Sequence, residues 1–189
     1  MRLKPTSSQT VGPFFHGGLM WLNTPDLAAN ADEGEKIEIG GTVLDGDGAV
    51  VPDAVLELWQ ANSHGRYNHP ADRQNRRLDP GFTGFGRICT DKTGHFRFTT
   101  IRPGAVPGID GKPQAPHINV TLFMRGQLTH LYTRLYFADD AALAQDEVLA
   151  KVEPSRRSTL LAQPIAGKPG RYEWNIVMQG ETETVFFAF

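Results

Sequence analysis

The chain has 189 residues, 19 of them basic and 21 acidic, a formal net charge of −2 and one cysteine, Cys89. Near-neutrality removes the broad electrostatic attraction that recruits nucleic acid or an anionic membrane. A single cysteine excludes an internal disulfide and a cysteine-rich zinc site, and a reducing cytoplasm is the setting it fits. The length suits one domain over residues 1–189 with a substantial core. The N-terminus, Met1 to Thr6, has basic residues with no apolar stretch behind them, so it does not read as a signal peptide. No run approaches the roughly 20 apolar residues that a membrane-spanning helix needs.

Residues 1–20 read as an irregular, extended arm with Gly12-Pro13, Gly17-Gly18 and exposed aromatic residues Phe14, Phe15 and, just beyond, Trp21. Such an arm needs a surface to rest on. Ile37 to Leu44 reads as a strand, followed by the turn Asp45-Gly46-Asp47-Gly48. Val55 to Gln60 alternates as the next strand, with Trp59 assigned to the core. Residues 62–83 form a long polar loop carrying Arg66, Arg73, Arg76 and Arg77, and a loop of that length in a compact domain is functional or faces a partner. Gly86 to Thr90 and Phe96 to Ile101 flank the turn Asp91-Lys92-Thr93-Gly94, and Cys89 is expected to be a small buried apolar group on the first of these strands. Arg87 follows Gly84-Phe85-Gly86, which has no phosphate-cradle context. Residues 102–116 form a second long loop rich in proline and glycine.

His117 to Arg125 and His130 to Phe137 are two further strands. Asp139 to Val152 has Leu143, Val148 and Leu149 near helical spacing, with Asp139 or Asp140 as N-cap. A second short helix is expected over Pro154–Ala162. Tyr172 to Met178 and Thr184 to Phe189 complete the sheet. Many short strands separated by turns, with long loops and one or two short helices, predict an all-β sandwich.

The chemistry centres on His117-Ile118-Asn119. Residues two apart on a strand face the same way, so His117 and Asn119 stand side by side. A histidine at 119 would complete the paired imidazoles of a strand-built metal site; the neutral amide of Asn119 is a poor ligand. On the strand that follows, Arg134 shares a face with His130, Tyr132 and Tyr136, opposite the apolar Leu131, Leu135 and Phe137. No nucleophile elbow, zincin motif or carboxylate dyad is present.

The chain resembles the intradiol ring-cleavage dioxygenases. The carrying segments are Ser8-Gln9-Thr10-Val11-Gly12-Pro13-Phe14-Phe15, Leu56-Glu57-Leu58-Trp59-Gln60-Ala61-Asn62, Gly65-Arg66-Tyr67, Gly84-Phe85-Gly86-Arg87, Ala115-Pro116-His117-Ile118-Asn119, Thr133-Arg134-Leu135-Tyr136-Phe137 and Thr184-Val185-Phe186-Phe187, in order along nearly the whole chain. The resemblance implies a β-sandwich fold. It also implies a non-haem Fe(III) centre, which catalytic chains hold with two tyrosines and two histidines. Phenolates are hard donors that favour Fe(III). The four positions correspond to Tyr67, Val106, His117 and Asn119, so two ligands are missing here. This matches a non-catalytic alpha-type chain, colourless alone, whose iron is bound by a partner beta chain within a higher hetero-oligomer. By the same resemblance Thr10, Gly12 and Pro13 form a wall of a substrate pocket shared with the partner, and Arg134 holds substrate there in a supporting catalytic role. The implied reaction cleaves 3,4-dihydroxybenzoate with O2 to 3-carboxy-cis,cis-muconate. Two other readings remain open. One is a complete enzyme with an altered metal set, which needs two replacement ligands. The other is a non-enzymatic sandwich that binds an aromatic ligand, which leaves the N-terminal motif unexplained.

Overall fold

The computed structural model describes residues 4–108 and 111–188. The first three residues of the expected arm, two residues of the expected 102–116 loop and the final Phe189 lie outside it. Among the described residues the strands are β1 (Lys36–Leu44), β2 (Val55–Gln60), β3 (Phe85–Cys89), β4 (His95–Ile101), β5 (Val106–Pro107), β6 (Pro113–Gln114), β7 (His117–Phe123), β8 (Leu131–Phe137), β9 (Leu161–Pro164), β10 (Arg171–Glu173) and β11 (Ile176–Val177). Two short α-helices are present, α1 (Pro13–Gly17) and α2 (Glu147–Ala150).

Alternation builds the layers. β1 buries every second residue, and Ile37, Ile39 and Val43 point into the core. A slip of one residue would turn all of them to the outer face, so register is strongly specified. One layer is built on β1, which pairs antiparallel with β4 and parallel with both β10 and β11. The other runs β3–β2–β7–β8, all antiparallel. β9 joins the layers, lying parallel to β8 and antiparallel to β10. Between them lies the main core, which includes Leu56, Leu58, Phe82, Ile88, Phe96, Phe98, Ile118, Leu135 and Phe137.

The sandwich is therefore nearly closed, with a seam between the edge strands β3 and β4. Residues 23–27 fill that seam. Thr24 N–H donates to Arg87 O at 2.7 Å on one side, and Leu27 N–H donates to Thr99 O at 2.8 Å on the other. Asn23 Oδ1 accepts from Cys89 N–H at 3.2 Å. The segment thus covers two edges that would otherwise present free backbone groups. Gly86 makes the fit possible: a Cβ there would lie 2.7 Å from the Leu27 side chain.

Several expectations need correction. The single helix over 139–152 is two pieces: a 3-10 turn over Ala141–Gln145 capped by Asp140, then α2 capped by Asp146. Asp146 is buried, and one Asp146 oxygen accepts from Leu149 N–H at 2.7 Å while the other accepts from Ala115 N–H at 2.8 Å. A carboxylate bound to a neighbouring loop cannot continue the first turn, so the helix restarts there. Pro154–Leu160 is a 3-10 turn, and the residues after it form β9 rather than more helix. The expected strand over 172–178 breaks into β10 and β11. The chain crosses β1 closely at the break, where a Cβ on Gly41 would lie 1.8 Å from Trp174 O. Thr184 to Phe187 form no strand, only an isolated bridge between Phe187 and Tyr132. The arm is not irregular throughout, since Pro13–Gly17 is helical and Met20–Leu22 is a 3-10 turn. Cys89 is partly exposed rather than buried.

A smaller apolar cluster packs on the outer face of β8: Ala115, Tyr136, Leu149, Val152 and Leu160. It is the floor on which the residues around His117 rest.

Candidate functional site: a cleft at Tyr67 and His117 and an arm on the β7–β8 turn

β7 carries His117 and Asn119 on one face, and β8 runs beside it with Arg134 directly opposite Asn119 and Tyr136 opposite His117. The long loop after β2 brings in Tyr67. Its backbone N–H donates to Asp72 Oδ2 at 2.8 Å, and its ring stacks on Trp59 with centroids 5.4 Å apart and planes 20° apart. Trp59 is therefore not core: it faces outward from β2 and walls the cleft. Val106 is the buried residue of β5, and β5 pairs with β6 so that Val106 lies opposite Gln114. Trp59, Tyr67, His69, Arg73, Val106 and Pro107 line a cavity of about 510 Å³.

The hydrogen bonds run inward. Asn119 Nδ2 donates to Tyr67 Oη at 3.3 Å and to Trp59 O at 3.3 Å. Arg134 Nε donates to Asn119 Oδ1 at 3.0 Å. Arg134 Nη1 donates to Gln114 Oε1 at 2.9 Å and to Tyr136 Oη at 3.4 Å. Tyr136 Oη donates in turn to Asp146 Oδ1 at 3.2 Å. His117 is buried with Nδ1 2.8 Å from Ala115 O, an acceptor only, so Nδ1 carries the proton. Burial and then the nearby Arg134 charge push the His117 pKa down from 6.5 to about 4, so the ring is neutral at pH 7. Burial also raises the Tyr67 phenol, against the opposing bond from Asn119 and the charge of Arg134. Burial raises Tyr136 as well, again against Arg134.

The resemblance implies an iron centre held by two phenolates and two imidazoles, and these residues do not fit a ferric ion. The cleft offers a neutral phenol at Tyr67, an imidazole at His117, an amide at Asn119 and an alkyl side chain at Val106. A guanidinium already stands among them, and a cation at hydrogen-bond range opposes a second cation. Among the described residues no group of three or more His, Cys, Asp or Glu side chains could hold a metal.

The arm lies elsewhere. Thr10 Oγ1 accepts from Gly126 N–H at 2.9 Å, in the turn between β7 and β8. His16 Nε2 lies 3.2 Å from Thr90 O. Phe15 was expected to be exposed, but it packs on Phe123 with centroids 4.8 Å apart. The Arg87 guanidinium lies over the Phe15 ring at 5.0 Å while pairing with Glu57. Phe14 and Trp21 remain 82% and 77% exposed. Gly12 caps α1, whose first residue is Pro13. So Thr10, Gly12 and Pro13 are grouped at the β7–β8 turn, whereas Arg134 belongs to the cleft with Tyr67, His117 and Asn119. Among the described residues two arginines stand beside the arm: Arg87 over Phe15, and Arg125, next to Gly126 and paired with Asp53. The sequence alone gave no sign of Arg125, because it is the contacts of Thr10 with Gly126 and of Phe15 with Phe123 that place the arm there.

The loop arginines are mostly structural. Arg76 Nη1 donates to the carbonyls of His64 and Ala105, Arg66 Nη1 donates to Arg76 O at 2.6 Å, and Arg77 pairs with Glu33. Arg73 lies on the rim of the cavity. No helix among the described residues is long and apolar enough to cross a membrane.

Comparison with known proteins gives the lineage. A family model described as dioxygenase matches residues 12–180. The chain is 46% identical over 98% of its length to the protocatechuate 3,4-dioxygenase alpha chain of Burkholderia cepacia, covering 98% of that protein. It is also 35% identical over 94% of its length to the beta chain from the same organism, covering 77% of it. Among solved structures it is similar to the dioxygenase domain of a carbohydrate-binding fusion protein from Streptomyces sp. SirexAA-E. The TM-score is 0.63 at 24% identity, covering 96% of this chain and 100% of that one, a likeness of fold. The chain belongs to the intradiol dioxygenase family.

Proposed function

We propose that this chain is the alpha subunit of a protocatechuate 3,4-dioxygenase. In this reading it completes the substrate pocket of a partner beta chain that holds the non-haem Fe(III). The observation that carries the reading is the cleft: a member of the family whose four ligand positions offer a phenol, an alkyl group, an imidazole and an amide cannot hold the ion itself. The identity to an alpha chain and the weaker identity to a beta chain support the same division of labour. The complete enzyme takes 3,4-dihydroxybenzoate and O2 to 3-carboxy-cis,cis-muconate, in a hetero-oligomer of alpha–beta units in the cytoplasm.

The chain's own share is positional. It works as one domain over residues 1–189, with residues 1–20 as the arm that reaches the partner. Thr10, Gly12 and Pro13 form the pocket wall: Gly12 allows a close approach and Pro13 fixes the direction of the chain. Exposed Phe14 and Trp21 beside them supply apolar surface for docking, and aromatic side chains of this kind often anchor interfaces. Holding substrate at a fixed distance from a reactive centre and excluding water is worth much of a catalytic effect. Arg134 was expected in that pocket; its bonds lie within this chain's cleft, and the proposal assigns it there.

The test is to purify the chain alone and with a co-expressed beta chain, then measure iron and the visible spectrum. Iron, tyrosinate-to-iron colour and ring cleavage only in the co-purified complex support the proposal. Iron and colour in the chain alone overturn it.

A further inference from the structure

All four former ligand positions lead to one side chain. Asn119 Oδ1 accepts from Arg134 Nε, and Asn119 Nδ2 reaches Tyr67 Oη. Gln114 Oε1 accepts from Arg134 Nη1, and Gln114 is the strand partner of Val106. Tyr136 Oη accepts from the same Nη1, and the Tyr136 ring lies 5.7 Å from the ring of His117. Strand register puts the guanidinium there, since Arg134 lies directly across from Asn119. Its acceptors are two amide oxygens and a phenol. None is a carboxylate, and no ion pair is formed by Arg134 among the described residues. Among the described residues no carboxylate bonds the guanidinium directly, and Asp146 reaches it only through Tyr136.

We propose that Arg134 is the resident cation of this cleft: its guanidinium organises the four former ligand positions and keeps a ferric ion out of them. A metal gathers ligands from separate strands and loops around one positive centre. Arg134 does the same with directional donors, joining β6, β7, β8 and, through Asn119, the Tyr67 loop. The two missing ligands are then only part of why the chain does not fit iron. Restoring them leaves a fixed positive charge against the ion.

The test uses the full-length chain with ferric iron supplied as its citrate complex during expression and refolding. Three variants share Val106→Tyr and Asn119→His. The first keeps Arg134, the second adds Arg134→Gln, and the third adds Arg134→Lys. Iron per chain and the tyrosinate-to-iron absorption band are the readouts, with a thermal melt to show folding. The Gln variant is expected to hold at least about tenfold more iron than either charged variant. A Gln variant that folds only when iron is supplied also supports the proposal. Equal iron in the first and second variants, iron loading of the Lys variant, or a folded Gln variant that stays free of iron would each overturn it. Should the substitutions at 106 and 119 prevent folding, Arg134→Gln and Arg134→Lys in the otherwise unaltered chain test the organising role by amide exchange. Faster exchange over residues 65–68 and 113–119 in the Gln variant, but not in the Lys variant, is expected. Unchanged exchange in the Gln variant sinks the idea.

Discussion

The cleft and the arm divide this molecule into a region that satisfies itself and a region that waits for something else. In the cleft, Tyr67, Gln114, Asn119, Arg134, Tyr136 and Asp146 spend their hydrogen bonds on one another or on nearby backbone. On the arm, Phe14 and Trp21 leave most of their surface in water while Phe15 and Thr10 tie the backbone to the sandwich. Polar groups packed into such a cleft must find internal partners, because a buried polar group without one costs free energy. A docking element, the role proposed for the arm, has the opposite requirement and must keep apolar surface available. The two regions occupy different parts of the β7–β8 hairpin, so one can change without the other.

Removing the Asp146 carboxylate would break the cleft side of that comparison most severely. Asp146→Ala strips the cap from α2, orphans the buried Ala115 N–H and takes the acceptor from Tyr136. A loss of about 3–4 kcal/mol in urea unfolding is expected, and a loss below about 1 kcal/mol would show that the network is dispensable.

The second prediction concerns pH. His117 is neutral in the fold down to about pH 4, whereas an unfolded histidine takes up its proton near 6.5. Between those values the unfolded chain binds more protons, so stability falls as pH drops from about 6.5 to about 4 and then levels off. At about 1.4 kcal/mol per pH unit the loss reaches roughly 3 kcal/mol. His117→Gln should remove this component from the pH dependence of unfolding. An unchanged profile would mean that other groups carry it.

On the arm side, Phe14→Ser or Trp21→Ser should leave the stability of the isolated chain within about 0.5 kcal/mol. The same changes should weaken assembly with the beta chain by about 2 kcal/mol, some thirtyfold in dissociation constant. Equal binding by titration would remove these residues from the proposed interface. The smallest effect is expected for Thr10→Val, which deletes the acceptor of Gly126 N–H. A cost of about 1 kcal/mol should appear as faster amide exchange at Gly126.

The strands were legible because alternation is a local signal: β2 falls at the residues expected, and β1, β3, β4, β7 and β8 fall within two residues of expectation. Trp59 was misjudged for the reason that the others were right. Alternation places it opposite the core-facing Leu56 and Leu58, but a tryptophan among apolar residues reads as core. The break between β10 and β11 depends on the close crossing at Gly41, more than a hundred residues away in sequence, and no local pattern announces it. The helix over 139–152 failed because Asp146 looks like any helical aspartate until its partner, the Ala115 amide, is known. In the cleft, resemblance singled out Tyr67, Val106, His117 and Asn119, but the contacts of Arg134 with its neighbours needed the register between β7 and β8.

That long crossing has a consequence for how the chain is made. β1 takes its parallel neighbours from residues 171–177, so that side of β1 stays unpaired until those residues have left the ribosome. At about 5–20 residues per second that is a delay of roughly 6–25 s during which one side of β1 has no partner. Topologies dominated by such distant pairings also fold slowly. Nascent chains are thus exposed to sticking edge to edge, and removing residues 171–177 should lead to aggregation rather than to a smaller folded protein.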